Sequence, residues 1–354
     1  WRLRLAAMTR NMEHDELYLW LEQLKLKRSD SSVIRAGVVM GPAPGIDCAI
    51  IRVGDTLLAL KSDPITFATN DLGWYLVQVN ANDLATVGAV PRWLLVTLLL
   101  PDGATDAALA ITLMEQVYAA CRKMDIAVVG GHTEVTYGLE RPLAVGTLIG
   151  EVAEDRLVSP CDAMPGDRLL LTKGVPLEGA AILAREFRDE LQRQFTAAEL
   201  DEAAGYLHDP GISVLRDAQV AQAHGTVHAM HDPTEGGIAT ALWELAEASG
   251  RALLVEPDAI PVLPLAARLC AALGIDPLAT IASGALLLAA PAGDNVAAIR
   301  AALQRAGIAC HDIGQVVEGE AAVWLETEDG RLPLARPARD EVARLFDRQE
   351  NLQR

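Results

Sequence analysis

Four aspartates stand beside turns or inside apolar runs. They are Asp47 in Gly45-Ile46-Asp47-Cys48-Ala49, Asp63 in Lys61-Ser62-Asp63-Pro64, Asp83 in Asn80-Ala81-Asn82-Asp83-Leu84-Ala85, and Asp232 in His231-Asp232-Pro233-Thr234-Glu235-Gly236-Gly237. A carboxylate among apolar neighbours is costly unless a cation answers it. A hard divalent cation carrying a phosphorylated ligand would answer all four. The bland alternative makes Asp47 and Asp63 turn acids, with Lys61 as a surface partner. Asp83 resists it, because at 100° per residue it falls in the middle of the stripe formed by Leu72, Tyr75, Leu76 and Val79.

Two glycine-rich segments could receive a phosphate. The strand Thr226 to Met230 runs into Asp232-Pro233-Thr234-Glu235-Gly236-Gly237 and then a helix from Ile238 to Ser249. Adjacent glycines there expose backbone N–H groups at the positive end of a helix, although an ordinary helix start with Thr234 as N-cap reads the same. Gly130-Gly131-His132-Thr133, after a strand from Ile126 to Val129, is expected to be a second loop of this type or a plain turn. His224, His228 and His231 do not suggest zinc, since residues three apart on a strand face opposite sides. The Gly-x-x-x-x-Gly-Lys-Ser/Thr, Gly-x-Gly-x-x-Gly and Gly-x-Ser-x-Gly signatures are absent from the chain. Cys48 beside Asp47 reads as packing, because a neighbouring carboxylate disfavours the thiolate.

The elements that must position these residues follow from turn chemistry and periodicity. Ala49–Val53 and Thr56–Leu60 flank Gly54-Asp55, a hairpin signal that returns Asp63 to the end of the ribbon where Asp47 lies. Alternation would put the two acids on opposite faces, so their convergence needs a bend, expected near Pro64. A helix is predicted over Asp71–Val87 with Asn70 or Asp71 as N-cap, then a strand Trp93–Leu100, a helix from about Asp106 to Met124 and a strand Leu143–Val152. Glu13–Leu26 reads as an amphipathic helix followed by a polar linker. The second half shows strands at 168–172, 252–255, 285–289, 309–317 and 321–325, with helices from Leu177 and over 196–206 and 211–224. The expected divisions are 1–36 (helix and linker), 37–155, 156–330 and a charged helical tail, 331–354. The fold class is mixed α/β (α+β) in two domains.

At 354 residues, two domains are the default expectation. The 51% hydrophobic content argues against disorder, and 48 acidic against 30 basic residues argue against nucleic acid as a partner. Five scattered cysteines without Cys-x-x-Cys spacing fit reduced thiols. No apolar run reaches membrane-spanning length and no secretion signal is visible, so a soluble cytoplasmic protein is expected.

Taken in order, the segments from about Gly41 to Leu325 resemble the aminoimidazole ribonucleotide synthetase (PurM-like) superfamily. Gly45-Ile46-Asp47-Cys48-Ala49 resembles its Gly-Asp-Asp-Ala-Ala, Ser62-Asp63 its Thr-Thr-Asp, and Asn82-Asp83-Leu84-Ala85 its Ser/Asn-Asp-Leu-Ala. Asp232-Pro233-Thr234-Glu235-Gly236-Gly237 is similar to the Asp-Pro-Thr-Arg-Gly-Gly of the carbamoyl-dehydrating hydrogenase maturation factor, the HypE-like branch; Leu171-Thr172-Lys173-Gly174 and Ala282-Ser283-Gly284-Ala285-Leu286 also fit it. The resemblance implies a two-domain PurM-like fold whose N-terminal mixed sheet pairs into a barrel in a homodimer, with a C-terminal α/β domain. It implies ATP and Mg²⁺ as cofactors. Asp47, Asp63, Asp83 and Asp232 would hold the metal, joined by Glu235; Gly130, Gly131, Thr133, Thr234, Gly236 and Gly237 would approach the nucleotide. ATP would phosphorylate or activate a small-molecule, protein-borne or carbamoyl-type acceptor. The alternative is a non-catalytic nucleotide-binding accessory protein in metalloenzyme maturation.

Departures from the pattern qualify that expectation. The maturation factor ends in a reactive cysteine, whereas the last cysteine here is Cys310 and the chain reads Asn351-Leu352-Gln353-Arg354 at its end, so cysteine-borne carbamoyl chemistry is not expected. The reactive Cys or selenocysteine of selenophosphate synthetases has no counterpart before Cys48. His132 stands where thiamine-monophosphate kinases have Asp and the purine enzyme has Glu, so either Glu134 compensates or one metal position is lost.

Overall fold

The computed structural model describes residues 37–42, 45–66 and 71–353. The helix expected over Glu13–Leu26, its linker and Asn70 lie outside the described residues. The rest divides after Leu157 into two compact units, one of residues 37–42 and 47–157, the other of 45–46 and 158–353.

The N-terminal unit runs β1 (Val38–Met40), β2 (Ala49–Val53), β3 (Thr56–Ile65), α1 (Leu72–Thr86), β4 (Val90–Pro101), α2 (Ala107–Lys123), β5 (Ala127–Thr136) and β6 (Leu143–Val152). Its six-stranded sheet has the order β1-β2-β3-β6-β4-β5, antiparallel except for the parallel β4–β5 pair. The Gly54-Asp55 turn closes the hairpin with Val53 opposite Thr56, as its sequence predicts. Helix α1 is buried on nearly every side because it is sandwiched. One flank meets β3 and β6, and the other meets α2, where a Cβ on Gly73 would come within 2.4 Å of the Leu113 carbonyl. The sheet side is equally close: β6 admits α1 only because Gly146 and Gly150 lack side chains. A Cβ there would lie 2.8 Å from Asn80 Nδ2 and 2.7 Å from Leu84 Cδ2.

The C-terminal unit is built on β7 (Asp167–Thr172), α3 (Leu177–Glu186), α4 (Ala197–Gly205), α5 (Leu215–His224), β8 (Ala229–His231), α6 (Gly237–Ser249), β9 (Ala252–Val255), α7 (Pro264–Leu273), β10 (Leu287–Pro291), α8 (Asp294–Arg305), β11 (Cys310–Val317), β12 (Ala322–Thr327), β13 (Gly330–Pro333) and α9 (Glu341–Gln353). Its seven-stranded sheet has the order β13-β12-β9-β11-β7-β10-β8, with only β12–β9 parallel. Ile238, Leu242 and Leu245 of α6 pack on Leu169, Leu253 and Leu287 of the sheet. A second core is helical and joins Leu183, Phe187, Leu200 and Leu269 to Val342 and Leu345 of α9. The architecture is the two-domain mixed α/β expected from sequence. Helix α5 starts at Leu215, later than the predicted 211, because Pro210 and Gly211 lie in the preceding turn. Helices α7 and α8 and the short strands β1 and β13 have no counterpart in the sequence reading. Among the described residues no helix is long and apolar enough to cross a membrane.

The segment after 330 is integrated into this unit. Asp340, just ahead of α9, accepts hydrogen bonds from Val342 N at Oδ1 (2.8 Å) and from Gly236 N at Oδ2 (2.7 Å). Burial pushes its carboxyl up to about 7, against the pull of the Gly236, Val342 and Ala343 N–H groups; Glu235 adds a further upward push. The folded value lies above the ordinary one of about 3.9, so the folded chain holds this proton more tightly. The corresponding stability is present below about pH 4 and lost as the pH rises through 7. Asp340→Asn does not titrate. The Tm of the wild type should therefore fall relative to that of Asp340→Asn between pH 5 and 8, and parallel curves in thermal denaturation would contradict this.

Candidate functional site

Strand β3 alternates strictly: Leu57, Ala59, Lys61, Asp63 and Ile65 face inward, while Ser62 and Pro64 face out. Lys61 and Asp63 therefore share the face that meets α1. From α1 comes Asp83, fully buried. The Lys61 ammonium lies 2.9 Å from Asp83 Oδ2 and 3.3 Å from Asp63 Oδ1. The expected surface lysine is thus an interior cation, only 6% exposed at its side chain. Removing one partner of such a buried pair costs about 3–5 kcal/mol, because the remaining charge is left without an answer.

Polar neighbours fix this arrangement. Asn80, one turn before Asp83, accepts from the Asp63 N–H at 3.2 Å and donates to the Leu76 carbonyl at 2.8 Å. The Asp83 carbonyl accepts from Thr86 Oγ1 at 2.8 Å and from Cys48 Sγ at 3.1 Å. Burial first, and then Asp83, push the Cys48 thiol well up, with smaller upward pushes from Asp47 and Asp63 against Lys61. Cys48 is a packed donor, as its sequence context predicts. The chain bends at Cys48, ahead of β2, while β3 continues unbent through Pro64 opposite Val145. The expected bend at Pro64 is corrected accordingly.

Gly130, Gly131, His132, Thr133 and Glu134 do not form a loop. They lie inside β5, the exposed edge strand, paired in parallel with β4. The pairing shifts register between Leu94 and Leu95, and there the two backbones press together: a Cβ on Gly131 would stand 1.8 Å from the Val96 carbonyl. The glycines answer that irregularity. Gly131 lies in line with Asp63 across the sheet, through Val96 and Gly146, about three strand spacings or ~14 Å away. His132 and Glu134 are both exposed, with His132 Nε2 3.6 Å from Glu134 Oε2.

Asp232 and Glu235 belong to the C-terminal unit. Asp232 follows β8 and is fully buried, as is His231, whose ring nitrogens lie 2.9 Å from Glu244 Oε2 and 3.2 Å from the Asp232 carbonyl. Thr234 is buried, and its carbonyl accepts from Gly237 N at 2.9 Å. Gly236 and Gly237 have φ of 74° and 61°, a conformation that favours glycine, and a Cβ on Gly237 would lie 2.5 Å from the carbonyls of Leu278 and Thr280. Gly236, not Thr234, occupies the N-cap position of α6. The other two histidines of the trio weighed for zinc also have partners: His228 Nδ1 faces Asp167 at 2.9 Å, and His224 Nδ1 faces the Val220 carbonyl at 3.0 Å.

Sequence reasoning missed Lys61 as a site residue, Glu244 behind His231, and Asp340 on the glycine turn. Only Lys61 carried a readable signal, two residues from Asp63 on an alternating strand.

Known proteins resemble this chain over most of its length. A putative hydrogenase expression/formation protein of Methanocaldococcus jannaschii is 27% identical over 307 residues, covering 84% of this chain and 88% of the relative. The carbamoyl dehydratase HypE of Cupriavidus necator is 32% identical over 274 residues, 75% of this chain and 74% of the relative. Among solved structures, the hydrogenase maturation protein HypE in complex with ATP superposes with a TM-score of 0.67 at 25% identity, over 91% of this chain and 95% of that one. The N-terminal domain pattern of the AIR synthase related proteins matches residues 45–152 and the C-terminal domain pattern residues 164–325, so the chain belongs to the AIR synthase related protein family.

Proposed function

We propose that this chain is a Mg²⁺-dependent, ATP-binding enzyme that uses ATP to phosphorylate or activate a small-molecule or carbamoyl-type acceptor. The observation that carries the reading is the buried carboxylate set of the N-terminal unit, Asp47, Asp63 and Asp83, seated on a hairpin and the helix that faces it. Buried acids are retained at such cost for a reason, and hard oxygen donors suit Mg²⁺. The similarity to a HypE solved with ATP and to relatives named carbamoyl dehydratase supports the nucleotide and the acceptor class. Asp232 and Glu235 are the donors proposed from the C-terminal unit, with Thr234, Gly236 and Gly237 beside them. Gly130, Gly131 and Thr133 are proposed to line the nucleotide from the edge strand, in a homodimer whose N-terminal sheets pair.

In this reaction an acceptor oxygen attacks the γ-phosphorus, the bond to the bridging oxygen of ADP breaks, and the acceptor becomes an activated phosphate ester or anhydride. Mg²⁺, when bound, neutralises the charge that develops on the phosphate oxygens. The part of this chain's residues is to hold the carboxylates in fixed positions, so that no reorganisation is needed as charge moves. Exposure of His132 on β5, where related kinases carry an acid, favours a second reading, an accessory nucleotide-binding protein without turnover.

The cysteines give little support to a covalent carrier among them. Burial pushes Cys121 up to about 11 and Cys270 and Cys310 up to about 12, and only Cys161 is exposed. Thiol titration of the native protein should find one fast-reacting group, lost in Cys161→Ser, with ATP turnover unchanged in that variant. A second fast thiol, or turnover lost with Cys161, would restore cysteine chemistry.

ATP with Mg²⁺ should raise the Tm by several degrees where neither does so alone, since a ligand at 100 times its Kd contributes about 2.7 kcal/mol. Asp47→Asn and Asp232→Asn should each abolish most of the rise. An unchanged Tm in the wild type would sink the nucleotide reading. ADP release stimulated by a carbamoyl or carboxylate acceptor would exclude the accessory one.

A further inference from the structure

Lys61 changes what the carboxylate set can hold. Its ammonium sits within 3.3 Å of Asp63 and 2.9 Å of Asp83, and the three side chains are 6%, 9% and 0% exposed. A divalent ion and an ammonium cannot share that space: Mg²⁺ requires oxygens at about 2.1 Å in an octahedron, and the two cations repel across a short gap with little water between them. The lysine is also built in, because it shares a strand face with Asp63 and because Asn80 ties the Asp63 backbone to the helix that carries Asp83.

We infer that Lys61 is a resident cation. Its ammonium stands in for a divalent ion between Asp63 and Asp83, so this carboxylate set takes one metal ion fewer than it would with a neutral residue at position 61. The inference deepens the nucleotide reading above and rests on it for the ion count with nucleotide bound. Lys61 acts through Asp63 and Asp83 and is a positioning residue.

The test counts Mn²⁺ per chain, by the electron paramagnetic resonance of bound and free ion, in the presence of a non-hydrolysable ATP analogue. Lys61→Met keeps the apolar stem and removes the charge, and it should bind one Mn²⁺ more per chain than the wild type. Equal counts overturn the inference. Without nucleotide, Lys61→Met in EDTA should lose several degrees in Tm, and Mn²⁺ alone should restore most of the loss while barely moving the wild type. A loss that Mn²⁺ does not repair also overturns it. Should Lys61→Met not fold, Lys61→Gln, which also removes the charge, should bind one Mn²⁺ more per chain than the wild type, and an equal count overturns the inference. A wild type that takes up no analogue sinks the nucleotide reading, while the EDTA and Mn²⁺ arm still decides on Lys61.

Discussion

A carboxylate shut away from water is costly unless a positive charge or hydrogen-bond donors meet it, and in the N-terminal unit that condition falls on Asp83. Helix α1 lies between the sheet and α2, so no solvent reaches the middle of its length. The answering charge comes from β3, and only one phase of that strand can deliver it: a slip by one residue would turn Lys61 and Asp63 outward and bring Ser62 and Pro64 in. Gly146 and Gly150 then become necessary, because they let α1 come close enough to β6 for Asp83 to reach across. Hairpin register, bare strand and buried helix are one device for holding two carboxylates against an ammonium.

The same device explains which parts of the site could be read from the chain. Asp83 was legible because helical periodicity is strong over 72–83 and an acid within an apolar stripe violates it openly. The hairpin was legible from Gly54-Asp55, and register followed. Lys61 was hidden by local charge logic, since a lysine two residues from an aspartate in a polar tetrapeptide looks solvated. The inward run from Leu57 through Ala59 is what overrules that, but it holds only if β3 continues past Leu60, and its length is set by pairing with β6 rather than by its own residues. The bend at Cys48 was misplaced to Pro64 for the same reason: proline reads as an interruption, yet here it sits within a strand whose register β6 maintains.

Gly130-Gly131 shows how a glycine pair misleads. After an apolar strand the pair suggests a loop open to anions, and the residues themselves contain nothing against it. The competing cause is tertiary. The parallel pairing of β4 and β5 slips by one residue and drives the Val96 carbonyl into the space a side chain would need, so glycine is required with no ligand present. Such a cause depends on residues some 35 positions away and leaves no local trace.

The turn after Asp232 obeys a similar logic with a different outcome. Gly236 and Gly237 are demanded by backbone conformation and by the carbonyls of Leu278 and Thr280, which accounts for both glycines before any ligand is considered. The Gly236 N–H is nevertheless oriented as an anion donor, and the group it meets is a carboxylate from the segment leading into α9. An anion that reaches this amide therefore competes with Asp340, whose own charge is weakened by burial near neutral pH. The energetics of the turn and the docking of the last helix are coupled through that single hydrogen bond. Part of the worth of the helix N-terminus is already committed inside the fold.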